Sequence, residues 1–157
     1  MKHLISVLIE NKAGALARVA GLFSRRGFNI DTLAVGPTED DSISRMTIEL
    51  DAEELPHEQV SKQLYKLVNV VKITEFKHGD AVNREMILFK VKADAKNRAQ
   101  IIEIADIFRA KIIDVGKKNI ILEATGTRTK LDAIEDLLKQ YGIVELARTG
   151  KIALSRG

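Results

Sequence analysis

With 157 residues, 45% of them hydrophobic and 30% charged, the chain is long enough for one medium domain or two small ones and too apolar to be disordered. The net charge of +3 divides as 10 basic against 11 acidic side chains over residues 1–77 and 15 against 11 over residues 78–157, and neither half has the basic stripe that dense phosphate binding needs. There is no cysteine, which excludes disulfides, thiolate metal sites and thiol catalysis. There is also no apolar run of about 18 residues to span a membrane. Met1-Lys2-His3 leads into a strand with no secretory apolar core, so a cytoplasmic location is expected.

His3–Glu10 is expected as a strand, apolar on both faces and therefore central. A polar turn follows, and Ala15–Arg26 reads as a helix with Leu16, Val19, Ala20 and Phe23 at three-four spacing, closed by Gly27. Asn29–Val35 is a second strand, ended by Gly36-Pro37, and Thr38–Asp41 is an acidic hairpin turn. Ser44–Asp51 alternates Met46, Ile48 and Leu50 with Arg45, Thr47 and Glu49, as a strand with one buried face does. Pro56–Val68 reads as a helix with Pro in its first turn, Glu53-Glu54 ahead of it, and Val60, Leu64, Leu67 and Val68 on one side. Val70–Phe76 is a fourth strand.

Lys77–Asn83 is polar and reads as a linker, after which the order repeats. Met86–Val91 is a strand, and Arg98–Phe108 is a helix with Ile101, Ile102, Ala105 and Phe108 inward. Lys111–Val115 and Ile120–Thr125 are strands joined by Gly116–Asn119. Thr129–Tyr141 is a helix with Leu131, Ile134, Leu137 and Leu138 inward, ended by Gly142, and Ile143–Leu146 opens the last strand, with Lys151–Leu154 as its possible continuation. Each half is βαββαβ, so the fold class is α+β: two tandem ferredoxin-like domains, residues 1–77 and 84–157, joined by the linker 78–83. In that topology the second strand is an edge. Asn29–Val35 carries Ile30, Leu33 and Val35 with Asp31 as its one charge, and such an edge predicts a homodimer by sheet extension.

The turn Glu10-Asn11-Lys12-Ala13-Gly14 delivers the chain into the first helix. Free N–H groups and the positive end of the helix dipole suit a carboxylate or phosphate there. Gly14 taken alone only eases a strand-to-helix turn, and Asn29 taken alone bonds its own backbone. Together with Asn11, and read as one corner beside the dimer edge, they predict a pocket for a small zwitterion or anion. Catalysis has no such support. His3, His57 and His78 are scattered and read as surface residues, and Glu39-Asp40-Asp41 crowd a turn tip. No nucleophile–base pair, Walker glycine pattern or dinucleotide glycine pattern is present. With aromatics at 4% and only Phe89 on a central strand, base stacking is not supported, so no nucleic-acid partner is expected.

The run Asn11-Lys12-Ala13-Gly14-Ala15-Leu16-Ala17-Arg18-Val19-Ala20-Gly21-Leu22-Phe23-Ser24-Arg25-Arg26-Gly27-Phe28-Asn29-Ile30, then Leu33–Thr38, Ser44–Ile48, Lys62–Val70, Arg84-Glu85, Ile107–Lys111 and Gly142–Gly150, resembles the small, regulatory subunit of acetohydroxyacid (acetolactate) synthase over nearly the whole chain. The resemblance implies an ACT domain in the first half and a catalytic subunit as partner. That partner would hold thiamine diphosphate, Mg²⁺ and FAD, with no metal or cofactor and no catalytic residue on this chain. It further implies that the small subunit activates the partner and confers feedback inhibition by a branched-chain amino acid, typically valine. By position, Asn11, Gly14, Ala15 and Leu16, with Asn29, Ile30 and Val35 in the same corner at the dimer interface, would bind that effector. The N–H groups of Gly14 to Leu16 would hold its carboxylate, and Leu16, Ile30, Leu33 and Val35 its side chain. Many relatives carry Pro where this chain has Ala13, which leaves the turn less pre-set. An ACT-type sensor serving a different target is the alternative. The uncovered face of the first sheet and the segment Gly142–Gly150, with Arg148 toward a partner acid, are the candidate docking surfaces.

Overall fold

The computed structural model describes residues 2–51, 57–67 and 69–157. The expectations placed on Glu53, Glu54, Pro56 and Val68, and on the side chain of His57, lie outside that description. The chain runs β1 (Lys2–Glu10), α1 (Ala15–Arg25), β2 (Asn29–Pro37), β3 (Ile43–Asp51), α2 (His57–Tyr65), β4 (Val70–Phe76), β5 (Ala81–Lys92), α3 (Arg98–Ile107), β6 (Lys111–Val115), β7 (Asn119–Gly126), α4 (Arg128–Lys139), β8 (Ile143–Arg148) and β9 (Ile152–Ser155). Ala81–Asn83, expected in a linker, are already strand, because Ala81 and Val82 continue the alternation of β5 outward. Among the described residues no helix is long and apolar enough to cross a membrane.

The fold is α+β, with two βαββαβ units and an antiparallel sheet in each. Residues 1–83 and Gly150–Gly157 form one compact unit and Arg84–Thr149 the other. The second unit is thus an insertion, and residues 150–157, read as the end of the second half, fall with the first. In the first unit the strand order is β2-β3-β1-β4, so β1 is central and β2 and β4 are edges. Register sets Ile5 opposite Ile48 and Val7 opposite Met46, and their side chains meet Val19, Leu22, Phe23, Val60 and Leu64 from the helices in one core. Removing water from these side chains is the main stabilising term, about 1.5–3 kcal/mol for each large one.

The inward face of α1 is offset from the expected one. Ala15, Val19, Leu22 and Phe23 are buried, whereas Leu16 is exposed. Val19 and Phe23 fix the core stripe, and Leu16 lies on the flank nearest the first turn. The opposite face of this sheet, expected open, is closed at Ser6, Thr47 and Glu49, each 2% exposed. Residues 150–157 cross part of it: Lys151 Nζ is 2.7 Å from Glu49 Oε2.

In the second unit the order is β6-β7-β5-β8, and β9 pairs with β5 as a separate strand, not as a continuation of β8. Ile87, Phe89 and Val91 of β5 and Ile120, Leu122 and Ala124 of β7 pack on Ile101, Ala105, Leu131, Ile134 and Leu138. Ile102 and Leu137, expected inward, are exposed on the helix flanks. Thr127 caps α4, its hydroxyl oxygen accepting the Lys130 N–H at 3.5 Å.

Candidate effector site

The end of β1 is held on both sides before the chain turns. The Glu10 N–H donates to the Asn69 carbonyl and the Asn11 N–H to the Ser42 carbonyl, each at 2.7 Å. The Lys12 N–H returns to the Glu10 carbonyl at 2.9 Å. Gly14 then takes the left-handed conformation, φ 82° and ψ −7°, as the N-cap of α1. A side chain there would be strained by about 1–2 kcal/mol, which is why the position suits glycine. Gly14 has no side chain to cap the helix, and no acidic residue stands in the first turn.

Which N–H groups are free differs by one from expectation. The Ala15 N–H donates to the Lys12 carbonyl at 3.2 Å and is used up. Those of Gly14, Leu16 and Ala17 have no acceptor among the described residues. Three unused donors and the positive end of the helix dipole therefore stand at the mouth of α1, and a carboxylate is the matching ligand for such a group.

Neighbouring residues hold this mouth in place. The Asn11 side-chain amide donates to the Asp41 carbonyl at 3.2 Å. Asp41 is fixed by the turn, in which one Asp40 carboxylate oxygen accepts the Ser42 N–H at 2.9 Å and the Ser42 hydroxyl at 2.7 Å. Those two donors hold the Asp40 carboxyl below its usual range, against slight desolvation. Glu10 is lowered mainly by its hydrogen bond and charge contact with Lys12, with a smaller hydrogen bond from Asn69. Sequence reasoning missed Arg18 and Asn69: the Arg18 guanidinium donates to Asn69 Oδ1 at 2.9 Å, clamping α1 to the start of β4. The signal was present, since Arg18 follows Gly14 by one helical turn and so shares its side of the helix.

Asn29 is not in this corner of its own chain, and Ile30 goes with it. α1 runs back along the sheet, so β2 begins at the far end: Asn29 lies opposite Asp51, which lies opposite Lys2, whereas Glu10 lies opposite Ile43 and Pro37 opposite Ser44. Asn29 and Pro37 are the two ends of the nine-residue strand, eight steps of about 3.3 Å apart, or about 26 Å. Asn29 donates to Asp31 Oδ1 at 2.7 Å, and Ile30 packs partly against the core. A register shift at Asp31 then leaves Leu33 and Val35 on the helix side of the sheet, 36% and 44% exposed, with Leu16 at 41%. One chain therefore presents the loop Asn11–Leu16 at one end of the sheet, Val35 and Leu33 along β2 from that end to its middle, and Asn29 with Ile30 at the other end.

Two surface assignments also change. The His3 side chain is 10% exposed, its Nδ1 3.3 Å from Glu75 Oε1, in a 440 Å³ cleft with Glu49, His78 and Lys151. The guanidinium of Arg148, expected to reach a partner acid, is 2.8 Å from Asp132 Oδ1.

The chain resembles known proteins throughout its length. A family profile described as the AHAS small subunit-like ACT domain matches residues 5–72, and one described as the small subunit of acetolactate synthase matches residues 84–157. The acetolactate synthase small subunit of Mycolicibacterium smegmatis is 54% identical over 99% of this chain and 91% of its own length. The probable acetolactate synthase small subunit of Archaeoglobus fulgidus is 53% identical over 100% of this chain and 98% of its own. The crystal structure of the acetolactate synthase small subunit from Thermotoga maritima superposes with a TM-score of 0.93 at 43% identity, covering 100% of this chain and 98% of that one.

Proposed function

Because the chain belongs to the acetolactate synthase small subunits, we propose that it is the non-catalytic regulator of a catalytic subunit, activating it and making it sensitive to valine or a related branched-chain amino acid. Thiamine diphosphate, Mg²⁺ and FAD then belong to the catalytic subunit, which condenses two pyruvates to 2-acetolactate and CO₂. The observation that carries the reading is the mouth of α1: free N–H groups at Gly14, Leu16 and Ala17 beside the exposed apolar side chains Leu16, Leu33 and Val35. It offers a carboxylate donors at that mouth and an aliphatic side chain an apolar surface.

The missing half of the site comes from a second copy. β2 is an edge strand, and a two-fold axis pairs it antiparallel with itself. Pairing centred near Leu33 brings Asn29 and Ile30 of the partner subunit to the Pro37 end, beside Asn11 and Gly14. The Asn29 amide then meets the ligand's polar head, and Ile30 helps enclose its side chain. Binding and dimer geometry are linked in this arrangement, so valine and the catalytic subunit oppose each other with a coupling of about 1–3 kcal/mol. Apolar pockets separate ligands that differ by one methylene by about 1–3 kcal/mol, so leucine and isoleucine bind within the same range.

A thermal-shift titration of the full chain with valine, leucine, isoleucine and alanine tests this. Ligand at about 100 times its dissociation constant stabilises the fold by about 2.7 kcal/mol. A saturable shift for the branched amino acids alone is expected, and equal shifts with alanine, or none, would remove valine as the effector.

A further inference from the structure

We propose that Gly150 and Lys151 form a latch on the edge strand of the effector unit and act as positioning residues that transmit its effector state. The proposal rests on the effector reading above. Leu33 is the central residue of the nine in β2. Gly150 lies against its backbone so closely that a Cβ on Gly150 would stand 2.9 Å from Leu33 N, C and O. Backbone on backbone leaves no flexible atom to yield, so a displacement of Leu33 displaces residue 150. The next residue, Lys151, reaches across to β3 and pairs with Glu49 at 2.7 Å; the two side chains are 19% and 2% exposed. Ala153 is buried, and farther on the Arg156 N–H donates to the Asp80 carbonyl at 2.8 Å and its Nε–H to the Gly79 carbonyl at 2.9 Å.

Residues 150–156 are thus tied at three points: the middle of β2, a buried carboxylate on β3, and the turn between β4 and β5. The first is the strand that completes the effector site across the dimer. The chain leaves the inserted unit at Thr149 and enters this contact at the very next residue. A ligand that shifts how two β2 strands meet therefore moves the exit of the insertion directly, without a signal crossing the hydrophobic core. In this arrangement Lys151 touches neither effector nor partner; it fixes the position of residue 150 through Glu49.

The test uses the full chain, alone and reconstituted with the catalytic subunit. Lys151→Met and Glu49→Gln each break the ion pair, Gly150→Ala presses on Leu33 without altering charge, and Glu49→Lys with Lys151→Glu restores the pair reversed. Valine binding is read by calorimetry, and activation without valine and its inhibition by activity. The single variants are expected to bind valine within about threefold of wild type and to activate, while the valine concentration for half inhibition rises at least about tenfold; the reversed pair recovers most of that loss. Amide exchange at residues 151–155 of the unaltered chain is expected to change on adding valine. Normal inhibition in folded Lys151→Met and Gly150→Ala, or unchanged exchange while calorimetry records binding, would overturn the latch. An unaltered chain that fails to bind valine in calorimetry refutes the effector reading instead, and an activation defect in the variants would then mark the segment as structural only.

Discussion

At the scale of single residues, the site depends on a glycine that supplies nothing but backbone. On the proposed reading, Gly14→Asp puts a carboxylate where the ligand's own would sit and strains a left-handed residue; valine inhibition of the reconstituted enzyme is expected to be lost with activation retained. Gly14→Ala separates the two effects, since nothing lies within 4 Å of its added Cβ and only the backbone strain remains. That strain is carried with and without ligand, so Gly14→Ala is expected to lower folding stability by about 1 kcal/mol in denaturant unfolding and to leave the valine dissociation constant near that of the unaltered chain in calorimetry. Asp40 supports the same mouth from the turn below. Its folded pKa is depressed by Ser42, so its stabilising bonds are fully present above the unfolded value of about 3.9 and are lost as pH falls through the folded pKa. In an NMR titration the Ser42 amide should therefore move only below that unfolded value, and Asp40→Ala should abolish the transition.

At the scale of elements, β2 is the edge strand on which both the proposed dimer and the proposed site turn. Leu33→Lys places a charge in the middle of the edge. It is expected to leave the chain folded, convert dimer to monomer in sedimentation, and remove valine binding with it, because Asn29 of the partner subunit then no longer arrives. The strands and helices were legible because their apolar residues alternate or recur at three-four spacing, and those patterns follow from local geometry. Exact facing was less legible: Leu16, Ile102 and Leu137 fit the helical period but lie on flanks, where one residue of rotation decides burial. The turn at Gly14 was legible because a glycine between a strand and an apolar helix marks a tight change of direction, and its left-handed conformation agrees. The position of Asn29 was not, since nearness in sequence to the end of α1 conceals that the helix has carried the chain back along the sheet. Arg18 and Asn69 were legible only in part, because their clamp joins α1 to a strand 51 residues away.

At the scale of the whole molecule, the first unit is discontinuous, with Arg84–Thr149 set into it. The two ends of that insertion lie side by side: Thr149 donates its N–H to the Met86 carbonyl at 3.0 Å, and its hydroxyl oxygen accepts the Met86 N–H at 2.9 Å. Insertions with adjacent ends can be excised without stretching their host. Replacing residues 84–149 by a short Gly/Ser linker is therefore expected to preserve dimer formation and valine binding and to impair control of the catalytic subunit. Cutting the chain after residue 77, which also strips residues 150–157, should lower the melting temperature further than the excision does.

That discontinuity also sets an order of events during synthesis. A ribosome makes the two main strand–helix pairs of the effector unit first, then all of the inserted unit, and only afterwards Gly150 and Lys151. Until then the ion pair between Lys151 and Glu49 on β3 cannot form. A nascent chain can close its second unit before it can finish its first, so β2 is backed by Gly150 only after the whole of the inserted unit has been translated.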